Sequence, residues 1–199
     1  MPVRRDQVIV IDVEATCWEG SQIPPGQYSE IIEIGVCLMA VKTCELSAKR
    51  SIIVRPKFSR VSPFCTSLTG LTQEQVSAGI TFADACLILA EEYDSPHRMW
   101  ASWGTFERRM FRDQCRRERL HLPFSERHIN IKKLFADLNG ERVVGMSTAL
   151  QMAGLPPEGT HHRGRDDAWN GGRVLAALVE QHGREVLIDA FLRSGGEQP

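Results

Sequence analysis

A short run of β-branched residues near the N-terminus constrains the fold of this chain more than any other feature. Positions 8–13 read VIVIDV, so every residue in the run is apolar except Asp12. Such runs are typical of a strand that is buried on both faces, in a sheet covered by helices on either side. The run therefore predicts a central strand, and the aspartate inside it needs an explanation of its own.

The remaining pattern predicts a mixed sheet with helices packed on it. Further β-type runs occupy residues 30–38, 48–54, 99–103 and 129–131, and helical periods occupy residues 72–77, 82–93, 106–120, 132–138, 147–152 and 166–182. Three consecutive strands followed by strands that alternate with helices predict an α/β fold with a five-stranded sheet. Because the chain has 199 residues and no internal repeat or linker, we expect one domain over residues 1–192 and a frayed tail over residues 193–199.

Composition limits the partners and the compartment. The net charge is −1, so binding of a phosphate backbone must depend on a local basic patch and on bound cations. The six cysteines are scattered without a CxxC pair, which favours reduced thiols over a zinc site. No apolar run approaches the ~20 residues that span a bilayer, and no signal peptide precedes the first strand. We therefore expect a cytoplasmic protein that does not bind membranes.

The acidic residues of the first strand form a candidate metal site. Asp12 and Glu14 are two positions apart, so their side chains leave the same face of the strand. Two anions held ~6–7 Å apart repel each other, a cost that a hard cation such as Mg²⁺ or Mn²⁺ offsets. The alternative from spacing alone is that Asp12 marks the strand end and Glu14 lies in solvent, since an isolated D-x-E pair is common.

A second candidate cluster lies far downstream, at residues 161–167 (HHRGRDD), where a loop leads into a helix. Asp166 is explained by the preference for acidic residues in the first turn of a helix. Asp167 is explained less well in this way. A histidine on the preceding loop, either His161 or His162, is within reach of a water molecule near that second aspartate and fits a general base. Spacing alone does not separate the two histidines.

Four segments occur in the order seen in one family of nucleases. They are residues 11–20 (IDVEATCWEG), 30–35 (EIIEIG), 64–73 (FCTSLTGLTQ) and 162–167 (HRGRDD), within a resemblance that spans residues 8–182. The chain resembles the DEDDh exonucleases, and within them the branch that contains the histone-mRNA stem-loop 3′ exonuclease and its bacterial relatives. Four ordered motifs are far more specific than any one of them alone.

The resemblance implies an RNase H-like fold and 3′-to-5′ hydrolysis of single-stranded nucleic acid, RNA preferred, with release of nucleoside 5′-monophosphates. It implies two divalent ions, Mg²⁺ or Mn²⁺, held by Asp12, Glu14 and Asp167, with His162 taking a proton from the attacking water. Four further positions correspond to family positions that contact the terminal nucleotide: Ala15, Trp18, Leu68 and Thr69. Trp18 has a second interpretation, as a loop residue folded onto the core.

One position departs from the family pattern. Where the family has a fourth aspartate, this chain has Glu107, which keeps the charge but lengthens the side chain. We expect Glu107 to serve the site, against the alternative of a decayed site with Glu107 on the surface of a charged helix. The arginines of that helix fit either a phosphate-tracking stripe or a solvated face.

Two other functions compete with an RNA exonuclease. One is a catalytically weak nucleic-acid-binding protein that uses the same cleft without turnover. The other is a DNA-directed exonuclease, which is disfavoured because the segment CWEG at residues 17–20 resembles the RNA-acting branch.

Overall fold

The computed structural model describes residues 3–194 and contains one five-stranded sheet. Its strands are β1 (Arg4–Ala15), β2 (Ile31–Ala40), β3 (Leu46–Ile53), β4 (Arg98–Ser102) and β5 (Ile129–Asn130). The strand order is β3-β2-β1-β4-β5; β2 is antiparallel to β1 and β3, whereas β4 is parallel to β1 and β5. The predicted α/β fold with a mixed five-stranded sheet is therefore confirmed, with β1 at its centre.

Eight helices flank the sheet in the described part of the chain. They are α1 (Pro63–Thr69), α2 (Gln73–Ser77), α3 (Phe82–Glu92), α4 (Phe106–Glu118), α5 (Ile131–Asn139), α6 (Met146–Met152), α7 (Gly164–His182) and α8 (Glu185–Arg193). The six predicted helices lie within two residues of these bounds. The pattern did not predict α1 or α8.

The alternation of side chains along β1 gives the protein two hydrophobic cores. Val8 and Val10 face a core completed by α5, α6, α7 and α8. Ile9 and Ile11 face the opposite core, which contains residues of α3 and α4. The apolar run is thus continuous because both faces of this strand are covered.

A contact between two glycines places α7 against the sheet next to Asp12. Gly35 of β2 pairs with Asp12 of β1, and a Cβ atom at Gly35 would overlap the backbone of Gly164. Gly164 is the first residue of α7. Only a residue without a side chain allows this approach, and the approach brings the first turn of α7 to the acidic end of β1.

The C-terminal end of the chain differs in part from the expected tail. Arg193 is the last residue of α8 rather than part of a frayed segment. Ser194, which follows it, is 9% exposed, and residues 195–199 of the predicted tail lie outside the described residues. Among residues 3–194, no helix combines the length and the apolar character needed to cross a membrane.

Candidate metal centre and active site

Three carboxylates meet at the end of the central strand. Asp12 and Glu14 come from β1, and Asp167 comes from the first turn of α7. One ligand oxygen of each lies within 4.8 Å of the others. The residues that the sequence singled out as metal ligands are therefore brought together, although about 150 residues of chain separate the strand from the helix.

Burial and mutual repulsion make this cluster costly when all three groups are charged. Glu14 is 8% exposed and Asp167 is 5% exposed. Burial, followed by the charges of Glu107, Glu14 and Asp167, raises the pKa of Asp12 well above its ordinary value. Burial and the charge of Asp167 likewise raise the pKa of Glu14 to about 8. Hard carboxylate oxygens in mutual repulsion are the donor set that suits a divalent cation such as Mg²⁺ or Mn²⁺.

The fourth acidic residue faces the same cluster. Glu107 is the second residue of α4 and is only 4% exposed, so it is not the surface residue of the alternative interpretation. Its charge contributes to the raised pKa of Asp12. Burial raises the pKa of Glu107 itself, and no residue in the described part of the chain bonds its Oε2 atom. A buried carboxylate oxygen without a partner is costly unless a cation, a water molecule or a substrate group occupies its free side.

Two buried residues, Ser102 and His128, form a polar contact next to Glu107. Oγ of Ser102, the last residue of β4, lies 2.8 Å from Nε2 of His128. A hydrogen bond from Ser102 favours the charged form of Glu107. Burial and the nearby charge of Arg108 lower the pKa of His128 to about 3, so its ring is neutral at physiological pH. No sequence motif predicts this arrangement, because its members lie in unrelated segments.

The loop that contains His161 and His162, called the histidine loop below, contacts the carboxylate cluster through Asp167. Nδ1 of His161 lies 3.1 Å from Oδ1 of Asp167, and the backbone N–H of His162 donates to Oδ2 of Asp167 at 2.8 Å. The two imidazole rings stack with centroids 3.9 Å apart. Burial and the neighbouring His161 lower the pKa of His162, whereas Asp167 raises it. His162 has a φ of +62°, a strained conformation that places its ring beside that of His161.

Asp166 has the structural role that its position in the first turn predicts. It is 4% exposed and has three polar partners: Nζ of Lys49 at 2.7 Å, the backbone N–H of Thr160 at 3.1 Å and Nε of Arg165 at 3.6 Å. These contacts fix the start of the histidine loop. Asp166 and Asp167 are therefore neighbours with different partners, one tied to the loop and to β3 and the other to the carboxylate cluster.

Of the four residues predicted to contact the nucleotide, three line the protein surface or the end of β1, and the fourth, Thr69, is engaged inside the protein. Ala15 ends β1 and is 8% exposed, Leu68 lies on α1 and is 39% exposed, and Trp18 is half-buried before a 3₁₀ turn at Glu19–Ser21. Thr69 is 2% exposed, and its hydroxyl donates to the carbonyl of Cys65 and accepts from the N–H of Leu71. The Thr69 hydroxyl is therefore engaged in closing the end of α1.

An exposed phenylalanine adds to this surface. Phe64 is 40% exposed and stands one helical turn before Leu68, so the two side chains share one face of α1. Phe64 was not among the residues predicted to contact a nucleotide. Its segment carries a family motif but no helical period, and the shared face follows only from the helical spacing in α1.

Comparison with known proteins agrees with this geometry. A family model described as Exonuclease matches residues 9–175. The human 3′-5′ exoribonuclease 1 is 31% identical over 96% of this chain, which spans 57% of the length of that relative. The probable 3′-5′ exonuclease KapD of Bacillus subtilis is 29% identical over 88% of this chain and 85% of its own length.

Solved structures show the same fold. The nuclease domain of 3′hExo, a DEDDh family member bound to rAMP, superimposes with a TM-score of 0.82 at 28% identity and covers 92% of this chain and 96% of its own. A 3′-exonuclease structure that shows 3′-end recognition of a histone mRNA stem-loop gives a TM-score of 0.80 at 28% identity, over 90% of this chain and 84% of its own. The expected resemblance is therefore confirmed.

Proposed function

Because this chain belongs to the Exonuclease family, we propose that it removes nucleotides one at a time from the 3′ end of single-stranded RNA and releases nucleoside 5′-monophosphates. The observation that carries the proposal is the meeting of Asp12, Glu14 and Asp167, whose oxygens lie within 4.8 Å of one another. A cluster of this kind is poorly suited to a purely structural role, because its charges destabilise one another. It suits the hydrolysis of a phosphodiester with the help of cations.

Two divalent cations, Mg²⁺ or Mn²⁺, are the cofactors of this proposal. Asp12, Glu14 and Asp167 would hold them, with Glu107 on the outer side of the site. When bound, such ions lower the pKa of the attacking water and neutralise charge on the phosphate and on the leaving 3′ oxygen. The free Oε2 atom of Glu107 is the further oxygen that the described residues offer to this arrangement.

The general base of the proposal is His162. Its ring makes no hydrogen bond to any other described residue, so a ring nitrogen is free to accept a proton from water. Its backbone N–H meanwhile bonds Asp167, which ties the base to the carboxylate cluster. His161, whose Nδ1 faces Asp167, would orient that carboxylate.

The terminal nucleotide is proposed to lie against α1 and the end of β1. The exposed Phe64 and Leu68 would pack against its base, with Ala15 and Trp18 on the strand side and Thr69 shaping the end of the helix. Apolar contact with a base tolerates all four nucleotides, as an exonuclease requires. The preference for RNA rests on the relatives, one named an exoribonuclease and another bound to rAMP. The cysteines are all free, which fits the proposed cytoplasmic location.

The test compares matched RNA and DNA oligonucleotides of one sequence, labelled at the 5′ end, with Mg²⁺ and with Mn²⁺. We expect a ladder of RNA products that shortens from the 3′ end, slower cleavage of DNA, and no cleavage after chelation of the metal. Asp167→Asn is the matched inactive control. Cuts at internal positions would contradict the proposal. So would cleavage from the 5′ end of an RNA whose 3′ end is labelled and blocked.

A second candidate function is nucleic-acid binding without turnover. The observation that favours it is Glu107 in place of aspartate, because a carboxylate about one C–C bond, ~1.5 Å, further from the backbone changes the geometry of the site. The same assay separates the two functions. Retention of the RNA on the protein, with no ladder under either metal, would support binding alone.

A further inference from the structure

Two loops beside the site present an aromatic pair to solvent. Tyr28 is 44% exposed and Phe58 is 45% exposed, and their rings meet edge to face with centroids 5.7 Å apart. A cation lies over each ring: Cζ of Arg117 is 4.5 Å from the Tyr28 ring centre, and Nζ of Lys57 is 5.3 Å from that of Phe58. We call these four residues the aromatic platform. Exposed aromatic rings offer faces on which nucleic-acid bases can stack.

A buried carboxylate holds the platform in shape. Glu30 is fully buried, and its two oxygens accept the backbone N–H groups of Lys57, Phe58 and Ser59 at 2.9, 3.0 and 2.6 Å. The hydroxyl of Ser59 accepts the N–H of Tyr28 at 2.8 Å and donates to the Tyr28 carbonyl at 2.6 Å. The backbones that carry both rings are therefore locked together by polar contacts. The rings are preorganised on the surface although neither is needed to fill a core.

The cations of the platform form no ion pair with a described residue. Lys57 and Arg117 belong to none of the ion pairs formed within residues 3–194, and the exposed Arg60 next to them is equally unpaired there. The whole chain carries a net charge of −1, so this is a local basic patch on a nearly neutral protein. Unpaired cations interleaved with aromatic faces complement a single-stranded polyanion that carries flat bases.

The platform is continuous with the carboxylate cluster. Thr16 follows Glu14 by two residues, and its hydroxyl donates to the carbonyl of Tyr28 at 3.0 Å and accepts the N–H of Glu30 at 2.9 Å. On the other side, Arg117 stands ten residues after Glu107 on α4, a distance of ~15 Å at 1.5 Å per residue. At ~3.4 Å per stacked nucleotide, this separation corresponds to about four nucleotides.

We propose that the aromatic platform binds bases of the single-stranded substrate about four nucleotides upstream of the 3′ end that is cleaved. This inference rests on the proposed function and adds to it a second site of contact with the strand. Tyr28 and Phe58 stack against bases, while Lys57 and Arg117 lie beside the phosphates. The platform makes the enzyme prefer strands long enough to reach it.

The test compares kcat/KM for a ten-nucleotide RNA with kcat/KM for a dinucleotide, which is too short to reach the platform. Phe58→Ala and Tyr28→Ala should each lower the ratio of the two values about tenfold, the order expected for the loss of one base stack. Tyr28→Phe should keep the ratio at the parental value, because stacking does not need the hydroxyl. Arg117→Gln should lower it as well and reduce the slope of binding against salt by about one.

Two variants serve as matched controls. Arg116→Ala removes a neighbouring exposed cation on α4, and Leu87→Ala removes an exposed apolar side chain on α3; both should leave the ratio near that of the parent. A ratio unchanged in Phe58→Ala, Tyr28→Ala and Arg117→Gln would overturn the inference and leave the surface to a protein partner. An equal loss on both substrates would overturn it too, because the damage would then lie at the cleavage site.

The same variants separate this inference from the proposed function. If the parent protein cleaved neither substrate, the proposed function would fail. The dissociation constant of the ten-nucleotide RNA, measured by fluorescence anisotropy, would then decide on the platform alone. A rise of about tenfold in Phe58→Ala, with none in Leu87→Ala, would support it. Equal constants would overturn it.

Discussion

The carboxylates and the histidines of the site are held in opposite ways. Asp12 and Glu14 lie on a strand that is hydrogen-bonded on both sides, by β2 across from Asp12 and by β4 from the neighbouring Ile11. His161 and His162 lie on a loop, and their links to the site run through Asp167. The side chain of His161 is 65% exposed. Carboxylates that repel one another are thus on the rigid element, and the proposed general base is on a loop.

The difference has a physical reason. Carboxylates on a loop would move apart and enter water, which would relieve the repulsion that makes them a metal site. A central strand does not allow this, and the contact between Gly35 and Gly164 lets α7 bring Asp167 close to that strand. His162, the proposed proton acceptor, lies instead on a loop that its backbone N–H ties to Asp167, and its ring forms no hydrogen bond with another described residue. The predictions below test whether this division of roles is correct.

The largest expected effect comes from the rigid half of the site. Asp12→Asn should reduce cleavage of RNA to the background rate, because the loss of one charge weakens cation binding and the stabilisation of the transition state together. Folding should be intact, since a repelled charge has been removed, and melting by circular dichroism checks this. Turnover at the parental rate with saturating Mn²⁺ would show that Asp12 is not a metal ligand.

A smaller effect is expected from the adjustable half. His162→Ala should lower kcat by roughly 10²–10⁴-fold, the range for loss of a general base, while His161→Ala should lower it much less. Single-turnover rates with saturating RNA measure both variants. The reverse order would make His161 the base. Equal small effects would indicate that the reaction needs no histidine.

Substitution of Glu107 should slow cleavage less than substitution of Asp12 and more than substitution of Ser102. Glu107→Gln should slow cleavage roughly tenfold, as expected when a charge-assisted contact near a metal is lost. Glu107→Asp should not increase the rate if the site has adapted to the longer side chain. A Glu107→Gln variant as fast as the parent would place Glu107 outside the reaction, in spite of its burial.

Ser102→Ala sharpens this result, because Ser102 is proposed to act only through Glu107. Its loss should slow cleavage by a few-fold in the parent, in line with one hydrogen bond to a charged group. In the Glu107→Gln background it should have no further effect, which a double-mutant cycle on kcat measures. Additive losses would show that Ser102 contributes to folding and not to the position of Glu107.

The smallest effect concerns stability without metal. Burial and Asp167 raise the pKa of Glu14 from 4.5 to about 8, so the folded protein binds a proton that the unfolded chain releases. The contribution of Glu14 to stability is therefore full below pH ~4.5 and is lost as the pH rises towards 8. Melting temperatures in a chelating buffer at pH 5.5 and 8 should fall with pH, and Glu14→Gln should reduce that fall. An identical pH dependence in both proteins would contradict the raised pKa.

The sequence predicted much of the fold because its main strand is unambiguous. The run at residues 8–13 has no helical period, and six helices were placed to within two residues by their apolar spacing and their caps. α1 was missed because it has seven residues and begins at Pro63, which reads as a break. α8 escapes the pattern because its nine residues closely follow Gly183, the C-cap of α7, and such a glycine typically ends the helical pattern.

Only the site residues that belong to sequence motifs were predicted. Asp12, Glu14 and Asp167 meet as expected, and their catalytic roles remain proposals. Ser102 and His128 carry no motif, because what defines them is a 2.8 Å contact between two buried segments. The aromatic platform was also invisible, since its rings come from loops that only the buried Glu30 brings together. Long-range contacts of this kind leave no periodic trace in a sequence.

Titration of the protein with Mn²⁺ by calorimetry tests the division of roles most directly. The parent and His162→Ala should bind Mn²⁺ with similar affinity, because His162 is proposed to accept a proton and not to hold the metal. Asp12→Asn should bind at least roughly tenfold more weakly, because a charged ligand of the cluster is gone. Equal binding by the parent and Asp12→Asn, or a loss of binding in His162→Ala as large as that in Asp12→Asn, would contradict the account.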